Sequence, residues 1–421
     1  MVLADLLIED AAELLTLDGP PGPRAGPAQS ELGLIQGGAV AARDGRIVAV
    51  GASAEVRARI ELAPGARVYS AAGRVVMPGF VDPHTHLIFA GDRAAEFARR
   101  LAGASYLDVL AGGGGILDTV RQTRLASLDD LLAGARRRLR RMLAAGTTTV
   151  EVKSGYGLTV EDELKILRVA KALIGGVART FMGAHAVPPE FRGRRQAYVD
   201  LVCEEMIPRV ADEYLAEYCD VLCEKGAFSV EESRRILETG VEHGLKPKVH
   251  ADEMVALGGA ELAAELRAVS ADHLSKTSEQ GLRALAEAGT VAVLLPGTGL
   301  FLGHAAHARR MVELGIPVAL GTDFNPGTCP IESMAMIVGL ACAQLGLSVA
   351  EAIVGATVNA AHAIGRVGRV GSLRAGKQAD LLVLDAPDHR HLAYRFGTNL
   401  VYQVFQNGGL AHQAAEPAGE I

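Results

Sequence analysis

"VVMPGFVDPHTH" (residues 75–86) reads as an apolar strand that ends in two histidines one residue apart. Its texture recurs down the chain in "TTTVEVKSG" (147–155), "ARTFMGAHAV" (178–187), "CDVLCEKGA" (219–227), "KPKVHADE" (246–253), "VSADHLS" (269–275), "TVAVLLPGT" (290–298) and "PVALGTDFN" (317–325). Between most of these lie helical stretches such as "EDELKILRVAKALI" (161–174) and "EESRRILETGVEHG" (231–244), with apolar residues at three-to-four spacing. Strands alternating with helices in this number predict an α/β fold of the closed (β/α)8, TIM-type barrel kind; a doubly wound open sheet is the rival.

Outside that core the texture differs. "GAVAARDGRIVAVG" (38–51) places apolar runs around Asp44-Gly45, a hairpin signal, and Gly19–Pro27 reads as an exposed loop. "GSLRAGKQADLLVLDA" (371–386) is again strand-like. The expected organisation is a small flanking β-sandwich built from both termini, residues 1–72 and 366–421, around a catalytic barrel of residues 73–365.

Bulk properties narrow the function. The 421 residues are 49% hydrophobic and 22% charged, a balance that supports a sizeable core. A net charge of −7 leaves no general basic field for nucleic acid, and the absence of Trp argues against a base-stacking platform. No apolar run approaches a membrane span, so neither nucleic acid nor membrane is an expected partner. The N-terminus lacks the basic start of a signal peptide, and five scattered Cys make no disulfide framework. A cytoplasmic protein is the economical reading.

The chemistry lies at strand ends. His84 and His86 are two apart, so both rings can reach one point; alone, such a pair is as readily structural. His250, His273 and Asp323 each sit at the carboxyl end of a further expected strand, where barrel active sites are built. Imidazoles plus a carboxylate suit Zn, Fe or Mn rather than Mg²⁺ or Ca²⁺. Such a metal brings the pKa of a bound water to ~7, supplying hydroxide at neutral pH, and polarises the attacked carbon. Glu253, His273 and Asp323 are the titratable candidates for moving protons.

"PGFVDPHTHLIFAGDR" (78–93), "HADE" (250–253), "ADHLS" (271–275) and "GTDFNPG" (321–327) resemble the amidohydrolase superfamily. "EVKSGYGL" (151–158), "MGAHAVPPE" (182–190), "CDVLCEKGAF" (219–228) and "GTDFNPGTCP" (321–330) resemble, more narrowly, its imidazolonepropionase family. The likeness runs from "GRIVAVG" (45–51) to "LRAGKQADLLVLD" (373–385). It implies His84, His86, His250 and Asp323 as ligands of one divalent or trivalent ion per subunit, Zn or Fe. It implies Arg93, Tyr156, His185, Glu253, Asn325, Gly327 and Thr328 as substrate contacts, and Glu253, His273 and Asp323 as catalytic. The implied reaction is hydrolysis of a carbon–nitrogen bond in a cyclic amide. Hydroxide on the metal would attack the ring carbonyl carbon of 4-imidazolone-5-propanoate and yield N-formimidoyl-L-glutamate, in histidine degradation. A homodimer is also implied.

Each residue has a plainer reading. Arg93 could be a surface ion pair, Tyr156 an ordinary loop aromatic, and His185 a ligand, a substrate contact or a satisfied polar residue. Arg93 does have the right chemistry, since a guanidinium fork is the natural partner of a propionate. Glu224 could hold a second metal, but a structural role is favoured. Gly112–Gly115 is expected to be mobile backbone near the mouth, part of a lid rather than a nucleotide loop. His304, His307, His389, His391 and His412 are expected in solvent, and Arg136–Arg141 on the wet face of a helix. The rival functions are another cyclic amide or amidine hydrolase or a nucleobase deaminase of the same superfamily, and, from a different class, a catalytically silent scaffold.

Overall fold

The structure is a computed structural model that describes residues 1–103, 114–173 and 175–415. Five strands open the chain: β1 (Val2–Leu15), β2 (Leu34–Arg43), β3 (Arg46–Ala52), β4 (Ile60–Ser70) and β5 (Val75–Pro78). Asp44 and Gly45, at φ 49° and 76°, make the tight turn between β2 and β3 that the Asp-Gly pair predicts.

The barrel follows: β6 (Phe80–Asp82), β7 (Thr147–Lys153), β8 (Gly176–Ala184), β9 (Tyr218–Cys223), β10 (Lys246–Ala251), β11 (Ser270–His273), β12 (Val291–Leu294) and β13 (Val318–Leu320). Neighbours pair in sequence order, all parallel. Nearly every residue of these strands is buried, as a sheet covered on both faces requires. The covering helices carry their own start signals. In the helix Val230–Glu242, Ser229 and Glu232 cap each other's backbone, and the inner stripe is Ser233, Ile236, Leu237 and Gly240.

The barrel closes just past the ends of β13 and β6. Thr85 bridges Phe324 in parallel, His86 N–H donates to Phe324 O at 2.9 Å, and Asp323 N–H to His84 O at 3.0 Å. Asp82 fastens the same seam from below, accepting from Thr322 Oγ1 at 2.6 Å and Thr322 N at 3.0 Å.

β14 (Leu381–Leu384), β15 (Val401–Gln406) and β16 (Gly409–Gln413) return to the first sheet, whose order is β16-β15-β14-β5-β1-β2-β3, with β4 also paired to β1. The stretch 75–86, expected as one strand, is therefore two. β5 joins the terminal sheet, between β1 and β14, and only β6 enters the barrel. The switch falls on Gly79, where an added Cβ would lie 2.3 Å from Thr148 Oγ1 and 2.5 Å from its Cγ2. Gly79→Ala is accordingly expected to destabilise the protein by about 1–3 kcal/mol, read as a lower urea midpoint at unchanged slope.

The Gly19–Pro27 loop is exposed at its tip but not throughout. Arg24 is buried, its backbone N–H donating to Asn359 Oδ1 at 2.7 Å and its Nη2 to Leu17 O at 3.0 Å. The glycine run expected near the mouth lies partly outside the described residues, at Gly112 and Gly113.

Candidate active site

His84 and His86 lie beyond the end of β6 rather than in it, and Asp323 lies three residues past β13. The closing seam, not strand register, brings these three together. His250 comes from β10 and completes the group: ring centroids are 4.5 Å apart for His84–His250, 5.5 Å for His84–His86 and 5.6 Å for His86–His250. One ring nitrogen from each of the three lies within 4.8 Å of the others. Asp323 Oδ1 stands 3.4 Å from His84 Nε2 and 3.6 Å from His86 Nε2, while its Oδ2 accepts from Thr298 Oγ1.

The electrostatics suit a cation. Burial, reinforced by neighbouring positive groups, pushes His84, His86 and His250 well below the usual histidine range, so all three rings are neutral. His84 Nε2, His86 Nδ1 and both nitrogens of His250 are buried without a hydrogen-bond partner. Several unpartnered lone pairs in one dry spot are expensive unless something accepts them. A metal coordinated by these rings would do so.

Around that point stand the remaining candidates. His273, at φ 73°, places its ring 5.1 Å from that of His250 and its Nδ1 3.6 Å from Glu253 Oε1. Its left-handed backbone, with those of Leu274 (59°) and Asp323 (52°), is unfavourable by ~1–3 kcal/mol each for residues of this type. Such strain clusters where a side chain must be aimed. Glu253 sits on a turn secured on both sides. Asp252 Oδ1 accepts from Leu257 N at 3.0 Å and Gly259 N at 3.1 Å, and Glu224 Oε2 accepts from Met254 N at 2.8 Å. Glu224 thus holds backbone.

His185 stacks on His86, with centroids 4.8 Å apart and planes at 17°, and burial lowers its pKa to about 4. Tyr156 is buried beside both, 5.7 Å from the His86 ring and 5.4 Å from that of His185. Arg93 is gripped by Glu96, Nε to Oε2 at 3.0 Å. Its Nη1 lies over Gly327, where an added Cβ would come within 2.0 Å of it. Asn325 braces the loop beneath: Oδ1 accepts from Gly327 N and Thr328 N, each at 2.8 Å, and Nδ2 donates to Thr328 Oγ1 at 3.0 Å. Its amide is engaged within the loop that carries Gly327 and Thr328.

The sequence profile of the amidohydrolase family matches residues 75–411. An imidazolonepropionase from Symbiobacterium thermophilum is 56% identical over 413 residues, 96% of this chain and 97% of that one. The chain belongs to the imidazolonepropionase family of amidohydrolases. Further imidazolonepropionases, from Shouchella clausii and Alkaliphilus metalliredigens, share 49% and 46% identity with this amidohydrolase over 96% and 97% of its length, covering 93% and 98% of theirs. Its fold is shared with E. coli guanine deaminase (TM-score 0.73, 16% identity, 97% of this chain and 99% of that one). An adenosine deaminase from Xanthomonas campestris with bound zinc is similar in fold (TM-score 0.70, 21% identity, 97% and 93% of the two chains).

Five site residues of this amidohydrolase escaped the sequence reading: Glu151 and Lys153 on β7, Asp220 on β9, Lys248 on β10 and Asp272 on β11. All are fully buried inside the barrel. Asp272 Oδ2 lies 2.6 Å from His84 Nδ1. The available signal was a charged residue in the middle of a strand that must be buried on both faces.

Other expectations need correction. Arg138 is not on a wet face: its guanidinium lies 3.5 Å from the Phe89 ring centroid and donates to Leu87 O at 2.9 Å and Phe89 O at 3.0 Å. Burial lowers its pKa to about 10. His389 is half-buried and 2.8 Å from Glu13 Oε2, and His304 is half-buried with both ring nitrogens enclosed. His391 and His412 are also half-buried, whereas His307 is exposed. Among the described residues no helix is long and apolar enough to cross a membrane.

Proposed function

We propose that this chain hydrolyses 4-imidazolone-5-propanoate to N-formimidoyl-L-glutamate. The observation that carries the reading is the convergence on one point of Asp323 and three neutral imidazoles, each with an unpartnered ring nitrogen, with the Arg93 guanidinium beside the same loop. Relatives of 46–56% identity bear the name imidazolonepropionase, which supports the substrate.

His84, His86, His250 and Asp323 would hold a single ion, Zn or Fe. When bound, it supplies a water acidified to act near neutral pH and polarises the attacked carbonyl. Arg93 holds the propionate through paired N–H donors. Gly327 leaves room for that guanidinium, and Asn325 and Thr328 shape the loop beside it. Tyr156 and His185 contact the ring. Addition of water places its oxygen on the ring carbonyl carbon, breaks the adjacent carbon–nitrogen bond and delivers a proton to the released nitrogen. Asp323 or His273 receives a proton from the attacking water, and Glu253 donates one to the departing nitrogen. We further read the chain as a cytoplasmic homodimer whose segments 1–72 and 366–421 flank a catalytic barrel of 73–365, β5 excepted.

The test is direct. Imidazolone propionate given to the protein should lose its ultraviolet absorbance without release of ammonia, and a chelator should abolish the loss. Ammonia in the product would favour the deaminase alternative, and full activity in chelator would end the metal-dependent reading.

A further inference from the structure

Two of the proposed ligand rings share a support that neither touches. Lys153 Nζ lies 2.6 Å from Asp220 Oδ2, 2.9 Å from Glu151 Oε2 and 3.3 Å from Asp272 Oδ2. The same two aspartate oxygens face the rings above. Asp272 Oδ2 is 2.6 Å from His84 Nδ1, and Asp220 Oδ2 is 3.1 Å from His250 Nδ1. The His250 contact lacks the alignment of a hydrogen bond, but Asp220 Oδ1 also accepts from His250 N at 3.2 Å. Lys248 Nζ closes the group at 2.9 Å from Glu151 Oε1.

We propose that Lys153 is a positioning residue: its one ammonium fixes Asp272 and Asp220 together, and through them sets the orientation of His84 and His250 as a pair. Stability alone is a poor reason for such a cluster. Withdrawing charges from water offsets most of their mutual attraction, and well-packed apolar side chains would hold the barrel as firmly. What apolar side chains cannot do is fix the tautomer of two metal-binding rings, a task that usually falls to a carboxylate behind each ring. Here the two carboxylates share one cation, so the rings cannot be set independently. Burial alone would lower the pKa of Lys153, but Asp220, Glu151 and Asp272 outweigh it and keep the ammonium protonated.

This inference rests on the metal-centre reading, and cobalt-loaded protein separates the two. If the wild type takes up no cobalt, the metal centre and this inference fall together. If it does, Lys153→Met should release cobalt to a chelator ~10–100-fold faster and alter the visible bands of the bound ion, while KM changes little. A folded Lys153→Met with wild-type release and bands overturns the inference and leaves the metal centre standing. Should that variant not fold, Asp220→Asn, Asp272→Asn and their combination decide instead. Effects on the release rate that multiply to within about twofold show independent supports and overturn the shared one; a larger departure sustains it.

Discussion

His250→Ala is expected to leave the protein folded, without bound metal, and with turnover lowered by ~10³-fold or more. The ring contributes one of the three neutral imidazoles, and an alanine side chain brings no donor atom in its place. His273, the nearest spare imidazole, lies 5.1 Å from His250 by ring centroids and faces Glu253. The estimate follows from the several kcal/mol that a bound metal contributes to transition-state stabilisation, at a factor of ten for every ~1.4 kcal/mol. Elemental analysis and an activity assay on the same sample check it, with circular dichroism confirming the fold. Metal content and turnover both at wild-type levels would remove His250 from the ligand set.

Arg93→Ala should behave in the opposite way with respect to metal. Arg93 is no neighbour of the imidazole cluster. It is held by Glu96, which also accepts from Gly115 N at 2.8 Å, and it rests over Gly327. Removing the fork leaves a substrate carboxylate without its partner in a partly dry site, a loss of ~2–5 kcal/mol. The expected result is a fall of roughly 30- to 4,000-fold in kcat/KM for the propionate-bearing substrate, with metal content unchanged. An analogue lacking the carboxylate should respond far less. Equal loss on both compounds, or loss of metal, would assign Arg93 to some other task.

Much of this was legible in the chain because of how parallel strands are buried. Covered on both faces, they read as short apolar runs, and the runs at 147–155 through 317–325 each overlap one observed barrel strand, β8 and β9 beginning two residues and one residue before theirs. The division at Gly79 had only Pro78-Gly79 as its signal, inside the otherwise apolar run 75–81, and hydrogen-bond partners are chosen by distant segments. The histidines stood out because their residue type is scarce and their positions recur. Asp272 did not: beside His273 it reads as one more polar residue at a strand end, and only the barrel's closure brings His84 to it. Arg138 misled for the same reason, since the Phe89 ring that covers it belongs to another element. Asn325 is legible as a site residue from its motif, but that its amide is engaged in bracing its own loop is visible only in three dimensions.

The pairing of β5 with both β1 and β14 bears on biosynthesis. While the chain is being made, Val75–Pro78 can find β1 at once, but its other edge has no partner until Leu381–Leu384 leaves the ribosome, after every barrel strand has been made. During that interval a fully apolar strand edge stands open next to a barrel that is itself still being assembled, the situation in which nascent chains stick to one another. Yield in an expression host should therefore depend on chaperone supply and growth temperature, and loss of β14, β15 and β16 should send the product to inclusion bodies even though every proposed metal ligand is already in place.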